Sequence, residues 1–193
     1  MGFDPNGAEP KAGVNGLYAL VIYLPEPLRT FLDNLRVELV PGCNPHAHVS
    51  VLPPRPIPVA PDTAIEQARA IVAGFPRFDV ELGQVEVFPV TDVVYISVEG
   101  GAAQLCAMHD SLNRSALAFA EPFSYHPHVT LAQELAPREV QAKRELATRR
   151  WREFWGPRKF HARGTVFVRN IEGNQWVDLA EGPLGAILTP LTR

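Results

Sequence analysis

Cysteine is scarce in this 193-residue chain: Cys43 and Cys106 are the only two, and nothing in their spacing suits a metal. That excludes a disulfide framework and suggests a reducing compartment. Also missing is any apolar run approaching the roughly 18–20 residues needed to span a bilayer. The N-terminus has no basic start followed by an apolar stretch, so no signal peptide is expected and the cytoplasm is the default location. Positive charge is not in excess either. Lys and Arg total 18 against 21 Asp and Glu, a net charge of -3. This excludes the strongly basic profile of a protein that coats long nucleic acid, while leaving room for a small anionic substrate held at a local site.

What is present suits an ordinary globular protein with a sizeable core: 46% hydrophobic and 20% charged residues. The length fits one domain or two small lobes. Residues 1–15, with Pro5, Pro10 and three glycines, read as a loose leader. Leu17–Leu24 reads as a buried strand ending at Pro25. Leu28, Phe31 or Leu32, Leu35 and Leu39 then recur at helical spacing up to Pro41-Gly42. Ala47–Leu52 is a second strand. The prolines of Pro53-Pro54-Arg55-Pro56 lack N–H donors, so a stiff exposed loop is expected there. Thr63 and Glu66 have the spacing of a capping box for the next helix. Phe78–Val87 alternates as a strand with a bulge at Gly83. Val93–Val98, a helix after Gly100-Gly101, a strand at His128, a helix from Pro137 and a strand over Phe160–Val168 repeat the order. A last strand at Gln175–Leu179 follows a turn at Gly173-Asn174.

The two strands at the centre of these halves share a pattern. His48-Val49-Ser50-Val51 is echoed by His128-Val129-Thr130-Leu131, with the histidines 80 positions apart. Side chains alternate along a strand, so each places an imidazole and a hydroxyl on one face and two branched apolar groups on the other. Repetition at this period predicts two similar lobes about a pseudo-two-fold axis, lobe one about 17–92 and lobe two about 93–180, with the two strands facing each other.

On these tetrapeptides the chain resembles the two-histidine (2H) phosphoesterases, the superfamily that includes 2′-5′ RNA ligase-like proteins and cyclic nucleotide phosphodiesterases. The likeness runs from about Leu17 to Leu179. It implies an α+β fold of two pseudo-symmetric lobes, each a small mainly antiparallel sheet with helices on its outer face, around a central cleft. It also implies opening of a 2′,3′-cyclic phosphate or cleavage of a 2′-5′ linkage in a nucleotide or RNA end, with no metal or other cofactor. One departure is Gln133, where RNA ligase-like members often carry arginine.

Two histidines suit that chemistry because their unperturbed pKa lies near working pH, so one can accept a proton while the other donates one. His48 and His128 are the candidate base and acid, in either order, and Ser50 and Thr130 the candidate phosphate donors. His46, His126, Tyr125 and Arg55 are candidate substrate contacts; Tyr125, like Tyr23 and Phe123, either stacks a base or belongs to the core. His109 and His161 read as structural. The His46-x-His48 and His126-x-His128 pairs also have metal-ligand spacing, so a metal-dependent enzyme is one alternative. A binding module that holds a phosphorylated ligand without turnover is the other. Residues 138–169 carry ten Lys/Arg against three Asp/Glu, either a guide for an RNA end or a solvated helix face. No membrane or protein partner is indicated.

Overall fold

The computed structural model describes residues 16–44, 46–171 and 175–185. The expected leader and the Gly173-Asn174 turn lie outside them. In chain order the elements are β1 (Tyr18–Tyr23), α1 (Leu28–Leu39), β2 (His48–Arg55), α2 (Pro61–Ala73), β3 (Phe78–Val87), β4 (Val94–Gly100) and α3 (Ala102–Leu112). A 3-10 turn (Ser115–Leu117), β5 (His128–Ala132), α4 (Pro137–Glu153), β6 (Lys159–Ala162), β7 (Gly164–Ile171) and β8 (Gln175–Pro183) follow.

The strands form two antiparallel four-stranded sheets, ordered β2-β1-β7-β8 and β5-β4-β3-β6. These are the two lobes of an α+β fold. Their pseudo-symmetry is visible in the order itself: each sheet has a motif strand at its edge, the first strand of a half beside it, and a closing strand third. The closing strands are exchanged, however. β3, expected in lobe one, pairs with β4, and β7 pairs with β1, so the lobes do not divide at residue 92. The link from β3 to β4 is only Phe88–Val93, closed by Phe88 N–H donating to the Val93 carbonyl at 3.0 Å. A connection that short makes a hairpin and carries β3 into the second sheet.

The expected single strand over Phe160–Val168 is also two strands. It breaks at Arg163, placing β6 in one sheet and β7 in the other. Helix α2 begins at Pro61, ahead of Thr63, with Pro at its first turn and no side-chain cap. Proline is tolerated there because that N–H has no helical partner in any case.

Burial follows the predicted periodicities. Leu28, Leu32, Leu35 and Leu39 form the buried stripe of α1. Val49, Val51, Val129 and Leu131 are all at most 2% exposed, and each such side chain contributes about 1.5–3 kcal/mol by leaving water. They join one core cluster with the inner faces of both sheets and the helices. Helices α1 and α4 pack together, as do α2 and α3. α1 also lies on β5, and α3 on β2, so each helix that precedes a motif strand packs on the opposite lobe. Among the described residues no helix is long and apolar enough to cross a membrane.

Candidate active site

The motif strands β2 and β5 are edge strands of different sheets, and they pack against each other. Their burial patterns begin identically: partly exposed histidine, buried valine, partly exposed hydroxyl, buried aliphatic. The strand pleat thus puts His48 and Ser50 on one face of β2, and His128 and Thr130 on the matching face of β5.

Each imidazole is oriented by its own chain. The Nδ1 of His48 lies 2.5 Å from the His46 carbonyl, and the Nδ1 of His128 lies 2.6 Å from the His126 carbonyl. A carbonyl only accepts, so Nδ1 carries the hydrogen in both rings. Nε2 is left on each ring as the atom for proton transfer, a lone pair when neutral and an N–H when charged.

Burial pushes His48 down from 6.5 to about 4. The hydrogen bond to His46 opposes that fall, and the charges of Arg36, His128 and His46 add to it. The two rings stand on the edge strands that pack against each other across the lobes. His128 is also lowered, mainly by burial, with its own bond to His126 opposing and only the His126 charge adding.

Aromatic rings line both histidines. Tyr23, directly across from His48 in the β1–β2 register, meets it edge-on with centroids 6.4 Å apart. On the other lobe Phe88 stacks on Tyr95 at 3.9 Å, and both present to His128 at 5.0 and 5.3 Å. Both tyrosine hydroxyls are held by acids: Tyr23 donates to Asp178 at 2.6 Å and Tyr95 to Glu86 at 2.9 Å. With burial and the acid acting together, Tyr95 is pushed up to about 12, and Tyr23 is raised as well. Neither phenol is a ready acid. Beside Tyr23 the same face of the first sheet carries an apolar patch of Ala19, Val21 and Val168.

The remaining candidates divide. His46 and His126 are exposed and flank the site: His46 lies against Tyr23 at 5.7 Å, and His126 against Phe88 at 5.3 Å. Among the described residues no group of three or more His, Cys, Asp or Glu side chains is arranged to hold a metal ion. Tyr125 is half-buried; its ring stacks on His109 at 4.1 Å and its hydroxyl donates to the Ser50 carbonyl at 2.8 Å. Phe123 is 56% exposed.

Arg55 is not at the surface. It is 1% exposed and ion-pairs with Glu121, while Nη1 donates to Asn113 at 2.8 Å and to the Leu117 carbonyl at 3.1 Å. The proline loop expected there is the end of β2, which tolerates Pro53 and Pro54 because it is an edge strand. Arg55 stands an even number of residues from Val49 and Val51 and, after two register irregularities that cancel, faces inward as they do.

Part of the basic stretch is paired. Arg150 pairs with Glu38 and Glu153, Lys159 with Asp79, and Arg158 lies over the Trp151 ring at 4.3 Å. The exposed residues Arg144, Arg149 and Arg152 share their surface with Glu145 and Glu153.

Arg36, Asp33, Tyr95 and Phe88 also stand at the site, though no motif in the sequence marks them. The Arg36 Nη1 donates to the Thr130 carbonyl at 2.6 Å, and Asp33 accepts the Ala47 N–H at 2.7 Å. Asp33 and Arg36 sit among the leucines of an amphipathic helix, where polar residues ordinarily face solvent. Only their spacing of three, which puts them on one face, offered a signal.

Comparison with known proteins places this geometry. The family model of the 2′-5′ RNA ligase superfamily matches residues 24–174. An RNA 2′,3′-cyclic phosphodiesterase of Aeropyrum pernix is 38% identical over 116 residues, covering 57% of this chain and 61% of that protein. The match therefore spans less than two thirds of that relative. Among solved structures, E. coli LigT complexed with 3′-AMP superposes with a TM-score of 0.60 at 16% identity, over 88% of this chain and 98% of that one. The Thermus thermophilus protein TT0787 superposes with a TM-score of 0.59 at 18% identity, over 89% and 99%. At those identities the likeness is one of fold.

Proposed function

This chain belongs to the 2′-5′ RNA ligase superfamily, and on that premise we propose that it is a phosphodiesterase that opens 2′,3′-cyclic phosphates on nucleotides or RNA ends. The observation that supports this reading is the matched pair of imidazoles, each with Nδ1 committed to a backbone carbonyl and Nε2 left for proton transfer.

In-line displacement puts the attacking and leaving oxygens on opposite sides of phosphorus, so a base and an acid from opposite lobes suit it. Water attacks phosphorus while one Nε2 takes its proton; the bond to one ribose oxygen breaks, and the other Nε2–H protonates that oxygen. Ser50 and Thr130 donate to the non-bridging oxygens. We assign His48 as the base, because the Arg36 charge acts against its protonated form and no arginine charge acts on His128. His128 is the acid. Opening of the ring with water needs no other participant. The Aeropyrum pernix relative bears the name of this activity.

The test is incubation with 2′,3′-cyclic nucleotides with and without EDTA, followed by 31P NMR. Conversion to the monoester at the same rate with chelator is the expected result. Turnover abolished by chelator would instead assign the paired histidines to a metal, and tight binding without product would make the protein a binding module.

A further inference from the structure

Two imidazoles on different sheets do general acid–base chemistry together only if the sheets hold a fixed separation. β2 and β5 share no backbone ladder, since each is the edge of its own sheet. Something other than sheet hydrogen bonding must therefore set the gap.

Three side chains bridge it. Asp33 and Arg36 stand at i and i+3 on α1, on one helix face. Asp33 accepts the N–H of Ala47, the residue before His48, at 2.7 Å. Arg36 donates to the carbonyl of Thr130, two residues after His128, at 2.6 Å. A single helical turn thus grips both motif strands, one on each lobe. From the other direction, the Tyr125 hydroxyl donates to the Ser50 carbonyl at 2.8 Å. The two carbonyls so held belong to Ser50 and Thr130, the equivalent residues of the two motifs. Tyr125 is itself braced: its ring lies flat on His109, interplanar angle 3°, and the Nε2 of His109 lies 2.9 Å from the Glu121 carboxylate that pairs with Arg55.

We propose that Asp33, Arg36 and Tyr125 are positioning residues that form a clasp between the lobes and set the separation of His48 and His128. The proposal rests on the two-histidine reading for its catalytic consequence. None of the three needs to touch substrate. Each fixes a backbone point one or two residues from an imidazole, so a released grip moves a ring rather than removing one. A misplacement near 1 Å costs on the order of 100-fold in rate when geometry carries the catalysis.

The test uses Asp33→Ala, Asp33→Asn, Arg36→Met and Tyr125→Phe in the full chain, assayed with a 2′,3′-cyclic nucleotide. Asp33→Ala, Arg36→Met and Tyr125→Phe are expected to lower kcat by about 10- to 100-fold with KM changed much less. Asp33→Asn keeps an acceptor oxygen and is expected to retain most of kcat. Tyr125→Phe with Arg36→Met should lose more than the product of the single losses, because either grip alone holds the gap in part. Single-variant kcat values within twofold of wild type, or losses carried in KM, overturn the clasp. Hydrogen exchange supplies a readout independent of turnover. Tyr125→Phe and Arg36→Met should speed exchange in β2 and β5 and leave β8 unchanged. If wild type proves inactive on cyclic nucleotides, the chemical reading fails while the clasp still stands or falls on that exchange.

Discussion

Arg55 and Glu121 form an ion pair largely inside the protein, and His109 converges on the same carboxylate from α3. The pair joins the end of β2 to the segment that leads into β5. Asn113, the Leu117 carbonyl and the Pro53 carbonyl take up the other guanidinium hydrogen bonds, which a buried charge requires.

Arg55→Met is therefore expected to act on stability. Removing one partner leaves Glu121 without its cation, at a cost of about 3–5 kcal/mol. Urea unfolding measures the loss, and a midpoint indistinguishable from wild type would contradict the buried role. Pairing the change with Glu121→Gln should restore part of the stability.

His48→Ala or His128→Ala should each lower kcat by about 100- to 10,000-fold, the usual worth of a positioned acid or base. His46→Ala and His126→Ala should leave much of the activity. The reason is local: the groups that orient the His48 and His128 rings are the His46 and His126 carbonyls, and a side-chain truncation keeps them. Equal damage from all four changes would refute these roles.

The pH dependence of kcat/KM reports the free enzyme. The base works above its pKa, which for His48 is about 4, and the acid works below its own, which for His128 lies under 6.5. A bell with its maximum between about 4 and 6.5 is expected, its two limbs belonging to the coupled pair. A maximum above pH 7 would show that the free-enzyme histidines are not depressed as described.

Stability should follow pH through the same groups. A histidine whose folded pKa lies below its unfolded value binds protons more readily when unfolded, so stability falls as pH drops from 6.5 toward 4. The lowered carboxylates Glu26, Glu38 and Asp79 act in the same direction but at lower pH: each contributes above its ordinary carboxylate range and loses that contribution as pH falls through its folded value. Urea midpoints measured at steps between pH 7.5 and about 5.5 therefore isolate the histidine part, since unfolded carboxylates take up protons only below that range. His48→Gln should flatten the upper part of the curve, and an unchanged slope would refute its share.

Much of the site was legible because alternation along a strand is a local rule. His48, Ser50, His128 and Thr130 share faces as their spacing of two requires, and Val49 and Val129 are buried for the same reason. Arg55 was misread for another reason: the same alternation puts it on the face of Val49 and Val51, but the prolines around it read as a loop and concealed the strand. The exchange of β3 and β7 was missed for a different reason: the duplicated pattern suggested contiguous halves, while the short Phe88–Val93 link demanded a hairpin.

By itself the sequence determined the helices, the strands and the two histidine motifs, since periodicity and local backbone chemistry act over a few residues. Which edges meet, and what surrounds each imidazole, were decided only in the tertiary structure. Asp33, Arg36 and Tyr125 owe their roles to partners 14, 94 and 75 positions away. Electrostatic and hydrogen-bond energies depend on distance through space, and no separation along the chain encodes it.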